Sequence, residues 1–88
     1  MNISTYHLLN FDTSVSGTVY RLYVLIEPDF TRSKTILLEK EVTVSDVTTR
    51  TYFETNESVE SVATAWSNRA SKTYTATYKF KGVFANNF

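Results

Sequence analysis

A chain of 88 residues, 42 % hydrophobic and 15 % aromatic, holds enough apolar material for one core and reads as a single domain, 1–88. Nine Lys and Arg balance nine Asp and Glu, and there is no cysteine. This excludes disulfide staples, thiolate zinc sites and cysteine nucleophiles.

The neutral total hides an uneven spread. All nine acids lie between Asp12 and Glu60, whereas the stretch from Ser61 to Phe88 carries Arg69, Lys72, Lys79 and Lys81 and no acid. The tail is therefore +4 and the preceding sixty residues, with five cations against nine acids, are −4. Such a dipole orients a charged partner, but four cations alone fall short of the phosphate contacts of non-specific DNA binding. The N-terminus has neither the basic start nor the apolar run of a secretory signal, and no stretch reaches the roughly 18 apolar residues of a membrane span. The expectation is a cytoplasmic chain with no membrane partner. Its Met1 start and lack of linkers suggest a complete small gene product. Asn2-Ile3-Ser4 and Asn56-Glu57-Ser58 match the glycosylation acceptor pattern and read as chance matches in that setting.

Tyr6 to Phe11 is a short apolar run and a first strand. Asp12 to Gly17 is turn-rich. Thr18 to Ile26 follows, with Tyr20, Leu22, Val24 and Ile26 on one face and Val19, Arg21, Tyr23 and Leu25 on the other. Apolar on nearly both sides, it reads as the central strand. Glu27 to Lys34 holds the single proline, Pro28, which cannot donate to a ladder, so this segment reads as a loop. Thr35 to Val44 resumes strand character, Ser45-Asp46 is a turn, and Val47 onward alternates again. Glu57 to Ala70 reads as a helix, because Val59, Val62, Ala63, Trp66 and Ala70 form one apolar stripe. Thr55 or Asn56 is placed to cap it, with Glu57 and Glu60 in its first turn and Arg69 in its last. Thr73 to Phe84 alternates, with Tyr74, Ala76, Tyr78, Phe80 and Phe84 facing one way and Thr73, Thr75, Thr77, Lys79 and Lys81 the other. Gly82 marks a bulge or a site of close ring packing.

The order β-β-β-β-α-β predicts an α+β fold: an antiparallel sheet of four to five strands with one helix packed on one face. Trp66 would be the helix's main core contribution. The last strand would lie beside the helix, its rings in the core and its Thr/Lys face in solvent.

The catalytic inventory is thin. His7 is the lone histidine, no nucleophile-elbow pattern occurs, and the isolated glycines Gly17 and Gly82 cradle no phosphate. Glu39 and Glu41 share a strand face near Asp46, a spacing more typical of a solvated edge than of a metal site. Neither catalytic residues, metal ligands nor a cofactor are expected, and the chain reads as a non-enzyme. Two candidate contact surfaces emerge. One is the loop with Phe30, Arg32 and Lys34, since aromatic and arginine anchors are enriched at interface hot spots. The other is the Thr75, Thr77, Lys79 and Lys81 face. The leading expectation is a small protein-binding domain, in format like phage or mobile-element proteins that inhibit a host enzyme or defence system by occupying its surface. A nucleic-acid-binding module using the basic C-terminal strand and a structural subunit of a virion or assembly are the alternatives. Thr-rich strands also suit homodimer formation through a sheet edge.

Overall fold

The computed structural model describes residues 3–85. Four long strands, β1 (Thr5–Val15), β2 (Thr18–Ile26), β3 (Arg32–Val44) and β4 (Val47–Asn56), run as an antiparallel meander. A short helix, α1 (Val62–Ser67), and a 3-10 turn (Arg69–Ser71) follow. A two-residue strand, β5 (Val83–Phe84), then pairs parallel to β1, and the spatial order is β4-β3-β2-β1-β5. The α+β class with one helix stands. The sheet is mixed rather than antiparallel, because the last strand joins beyond β1 instead of beside the helix.

The local chemistry explains the meander. Ser45 and Asp46 both take positive φ, 50° and 66°, the pair of left-handed residues that a two-residue hairpin turn needs. In the β1–β2 turn Gly17 alone is left-handed, at φ 78°. β2 sits mid-sheet and is apolar on both faces, as its sequence implies.

Register divides the core in two. On the first face Leu22, Val24, Ile36 and Leu38 are fully buried beneath Ala65 of α1, with Val62, Trp66, Phe53 and Tyr74 packed around them. On the second face Tyr6, Leu25 and Leu37 are buried, flanked by Tyr23, Tyr52 and Tyr78. The helix covers the first face only. The second is covered by the C-terminal segment, which is not a strand for most of its length. It bonds the outer edge of β4 at one point, Tyr52 with Thr75. From there it crosses the sheet: Phe80 packs on Tyr52 (4.9 Å between ring centres) and Tyr6 (6.1 Å), and Phe84 packs on Tyr6 (5.1 Å) and Tyr23 (4.8 Å). Five inter-strand steps of about 4.8 Å, from Thr75 outside β4 to β5, make roughly 24 Å, within reach of eight extended residues. The period-two pattern of Thr73–Phe84 therefore does not mark one apolar face. Tyr74 packs on the first face against Tyr20 and Phe53, the chain turns around β4, and Tyr78 packs on the second. An edge-paired strand cannot cover a sheet face, and the second face needs covering.

Gly82 is where this strap meets β1. A Cβ there would lie 2.2 Å from the carbonyl oxygen of Ser4, so the glycine serves close backbone approach. The helix is shorter than its apolar stripe suggests. Ser61 is its cap, its Oγ accepting from Thr64 N–H at 3.1 Å. Residues 56–60 form a separate turn in which Val59 N–H and Glu60 N–H both donate to Asn56 O. Val59 is exposed, and Glu60 is withdrawn from the helix start to accept from Lys72 and Thr55. Arg69 lies beyond α1, in the 3-10 turn rather than in the last helical turn, and from there donates to Trp66 O at 2.7 Å.

Candidate functional site

The β2–β3 loop holds a bulky residue in an unusual backbone conformation. Glu27 N–H donates to Thr31 O (2.8 Å) and Phe30 N–H to Glu27 O (2.9 Å). This is a turn across Pro28 and Asp29 followed by one left-handed residue, the arrangement in which glycine is the usual third member. Here that residue is Phe30, at φ 67°. Pro28 supplies the fixed φ of the first corner. The Asp29 carboxylate closes the turn by accepting from Thr31 N–H at 3.1 Å and from the Thr31 hydroxyl. Those bonds hold the Asp29 carboxyl below its ordinary range, so it is ionised at neutral pH. Phe30 itself is 90 % exposed. It does not fold back to plug the core.

Behind the loop lies a shallow cavity of about 310 Å³ lined by Ile3, Thr5, His7, Ile26, Glu27, Pro28 and Phe30. The His7 ring nitrogen Nε2 and the Thr5 hydroxyl are 2.9 Å apart, and Glu27 accepts from the Ser4 hydroxyl. Sequence reasoning found the loop but missed the cavity, because Ile3 and Thr5 reach it only through the pairing of β1 with β2. Arg32 opens β3 and is tied to Glu57 (Nε to Oε1, 3.2 Å), and Lys34 is exposed, its carbonyl accepting from Glu57 N–H. The structure thus gathers Phe30, Arg32 and Lys34 at one end of the sheet.

It does not gather the second predicted set. Thr75, Thr77, Lys79 and Lys81 form no sheet face, because their segment is a strap. Thr75 bridges to β4, and its hydroxyl lies 3.1 Å from that of Thr77. Lys81 Nζ binds Glu54 at 2.7 Å. Among the described residues, three of the four tail cations pair internally, Arg69 with Asp12 (2.8 Å), Lys72 with Glu60 (2.8 Å) and Lys81 with Glu54. Only Lys79 of the four has no such pair. Much of the charge asymmetry of the sequence thus goes into fastening the basic tail to acidic residues of the body, while Lys79 and Lys81 remain exposed.

The two glutamates that share a β3 face are likewise engaged. Arg21 Nη1 donates to Glu39 (2.7 Å) and to Glu41 (2.8 Å), and Arg50 joins Glu41 at 3.2 Å. The Arg21 hydrogen bond, ahead of opposing desolvation, holds the Glu41 carboxyl below its ordinary range. Burial, reinforced by the negative charge of Glu39, pushes the Tyr23 and Tyr52 hydroxyls up to about 12. Both therefore remain protonated, neutral and structural near neutral pH. No group of three or more His, Asp or Glu able to hold a metal occurs among the described residues. Among the described residues no helix is long and apolar enough to cross a membrane. No protein-family model, no curated protein and no solved structure matches this chain.

Proposed function

We propose that this chain is a small, non-enzymatic protein-binding domain that engages its partner through the β2–β3 loop, with Phe30 as anchor and Arg32 and Lys34 beside it. The observation that carries the reading is Phe30 itself, a large apolar side chain almost wholly in water and in a left-handed backbone conformation. Left-handed geometry costs an L-residue roughly 1–2 kcal/mol, and glycine would avoid it. A hydrophobic ring held in solvent at that cost contributes little to folding. Strain of this kind concentrates at ligand clamps and binding loops, and an aromatic residue on a stiff turn is the type that dominates interface energetics.

The surrounding chemistry fits contact rather than catalysis. The loop is fixed by Pro28 and by the Asp29–Thr31 bonds, so little ordering entropy remains to be lost on binding. Affinity capture with the parent chain and the Phe30→Gly variant, read by mass spectrometry, tests the proposal. A protein retained by the parent at native salt and lost from the variant supports it. Identical capture profiles would remove Phe30 from the contact and the reading with it.

A further inference from the structure

We propose that β1 pairs, antiparallel and about a two-fold axis, with β1 of a second copy of this chain, so that two sheets become one. This is independent of the Phe30 loop and uses a different side of the molecule. The two sheet edges are treated unequally. The β4 edge is blunted by the strap at Thr75 and carries Arg50 and Glu54. Among the described residues the β1 edge is covered by the last segment from Ser4 to Tyr6, with Val83 N–H donating to Ser4 O and Ala85 N–H to Tyr6 O. From His7 onward it has no partner among the described residues. Along that open stretch Leu8, Leu9 and Phe11 are 40 %, 46 % and 65 % exposed. Neither lysine nor proline interrupts them, although these are the usual guards of a free edge.

Backbone direction supports pairing there. Tyr6 O accepts from Ala85 N–H, so the Tyr6 main chain faces away from β2, and Leu8, two residues on, faces the same way. The register shift between Leu8 and Asn10 makes Leu9 an extra residue. It moves the outward-facing position from Asn10 to Phe11. Leu8 and Phe11 are then the two outward residues of the open edge, and both stand on the strap-covered face, opposite Tyr23 and Arg21 of β2.

A two-fold axis between Leu9 and Asn10 sets Leu8 of each copy against Phe11 of the other. It also sets His7 against Asp12 of the second copy. That register joins Leu8 to Phe11, sets Leu9 against Asn10, and brings no like charges together, since Asp12 is the sole acid from Thr5 to Val15 and that strand carries no Lys or Arg. A strand that is complementary to its own reverse is the requirement of an isologous contact, and an unrelated strand would have no reason to satisfy it. Together Leu8, Leu9, Phe11 and neighbouring Val83 leave roughly 350–400 Å² uncovered, about half of the ~800 Å² per partner of a standard interface. The bulge also twists the edge and shortens the run of ladder bonds. The dimer is accordingly weak, with Kd on the order of tens to hundreds of micromolar.

Sedimentation velocity of the full chain from about ten micromolar to one millimolar spans that range. The sedimenting mass should climb from 10.1 kDa towards twice that value. Phe11→Asp should weaken association at least tenfold, and Phe30→Gly should leave it unchanged. Should Phe11→Asp prove unstable, Leu9→Lys at a half-exposed position serves the same purpose. A mass that stays monomeric at one millimolar overturns the proposal. So does a dimer indifferent to both edge substitutions, or growth beyond two copies, which would mean pairing that does not close.

Discussion

Replacing Phe30 by glycine separates the folding role of this residue from its binding role. The ring is 90 % exposed, so only about a tenth of its surface is buried. At 25 cal/mol per Å² and about 200 Å² for a phenylalanine, losing that contact costs ~0.5 kcal/mol. Releasing the left-handed strain returns about 1–2 kcal/mol. Glycine's additional chain entropy takes back ~0.5–1 kcal/mol. These contributions nearly cancel, and Phe30→Gly is expected to melt within about 4 °C of the parent, given 4–8 °C per kcal/mol for a domain of this size. Phe30→Ala loses the same ring and keeps the strain but is spared the glycine entropy, a net of about 0.75 kcal/mol, so it should melt about 3–6 °C below Phe30→Gly. A phenylalanine truncated in a core instead costs ~3–5 kcal/mol. Thermal unfolding by circular dichroism distinguishes the two regimes at once. A Phe30→Gly variant destabilised by more than about 2 kcal/mol would refute the reasoning, since the ring would then be part of the core.

The strap yields further expectations. A hydrogen-bond chain runs from Lys81 N–H to Tyr6 Oη (2.8 Å), on to Tyr78 Oη (3.2 Å) and from Tyr78 to the Glu54 carboxylate. Tyr78→Phe should therefore destabilise by about 1–3 kcal/mol in urea unfolding, and Tyr78→Ala by more; a parent-like midpoint for Tyr78→Ala would mean that the strap does not hold the second face. Lys81→Glu sets a carboxylate against Glu54 and should lower stability by about 1 kcal/mol, whereas Lys79→Glu should leave it within ~0.5 kcal/mol. Gly82→Ala forces a methyl group into Ser4 O and should release β5, visible as lost hydrogen-exchange protection at Val83 and Ala85. The Arg69 and Ser14 hydrogen bonds hold the Asp12 carboxyl down at about 2, against 3.8 for the ordinary group. In that window the unfolded chain binds more protons, so stability is present above pH 3.8 and is lost as pH falls towards 2. Unfolding of Asp12→Asn followed across the same window should show a shallower acid slope than the parent. Equal slopes would place the Asp12–Arg69 pair outside the folding equilibrium.

How much of this was legible in the chain depends on whether each signal is local. The Thr18–Ile26 strand appears with the bounds its alternation implies, and the Ser45-Asp46 turn falls where two turn-forming residues interrupt apolar pairs. Pro28 marks the loop, although β3 begins at Arg32, earlier than the side-chain pattern suggests. The helix was misjudged because two start signals compete. Asn56 and Ser61 are both good caps, and the pairing of Glu60 with Lys72 decides for Ser61 by drawing the first acidic turn away. Lys72 lies twelve residues from Glu60, outside any helical window. The length of the helix is thus set by a tertiary contact.

The Thr73–Phe84 segment shows the limit more sharply. Period two reports an extended backbone, and the segment holds no helix, although it bends at Ala76 and at Lys81-Gly82. The inference fails at the next step, from extended to flat, which assumes that every other side chain meets the same surface. A chain that wraps an edge breaks this assumption while keeping the period. Tyr74 and Tyr78 are four residues apart, both on the odd-looking aromatic side, and they end on opposite faces of the sheet. The wrapping is dictated by what the first four strands leave bare. Tyr6, Leu25, Leu37 and Tyr52 form an apolar patch on the face that α1 does not reach, and only the tail remains to cover it. The same fact assigns the tail cations. Once the strap crosses the sheet, Lys81 meets Glu54, and a set of basic residues that resembles a binding strip in sequence becomes a fastening. Phe30 escapes this logic. Its turn is closed by bonds within five residues, so its position is local, and its exposure serves no part of the packing. A large ring that the fold neither buries nor needs is the feature from which the binding reading draws its force.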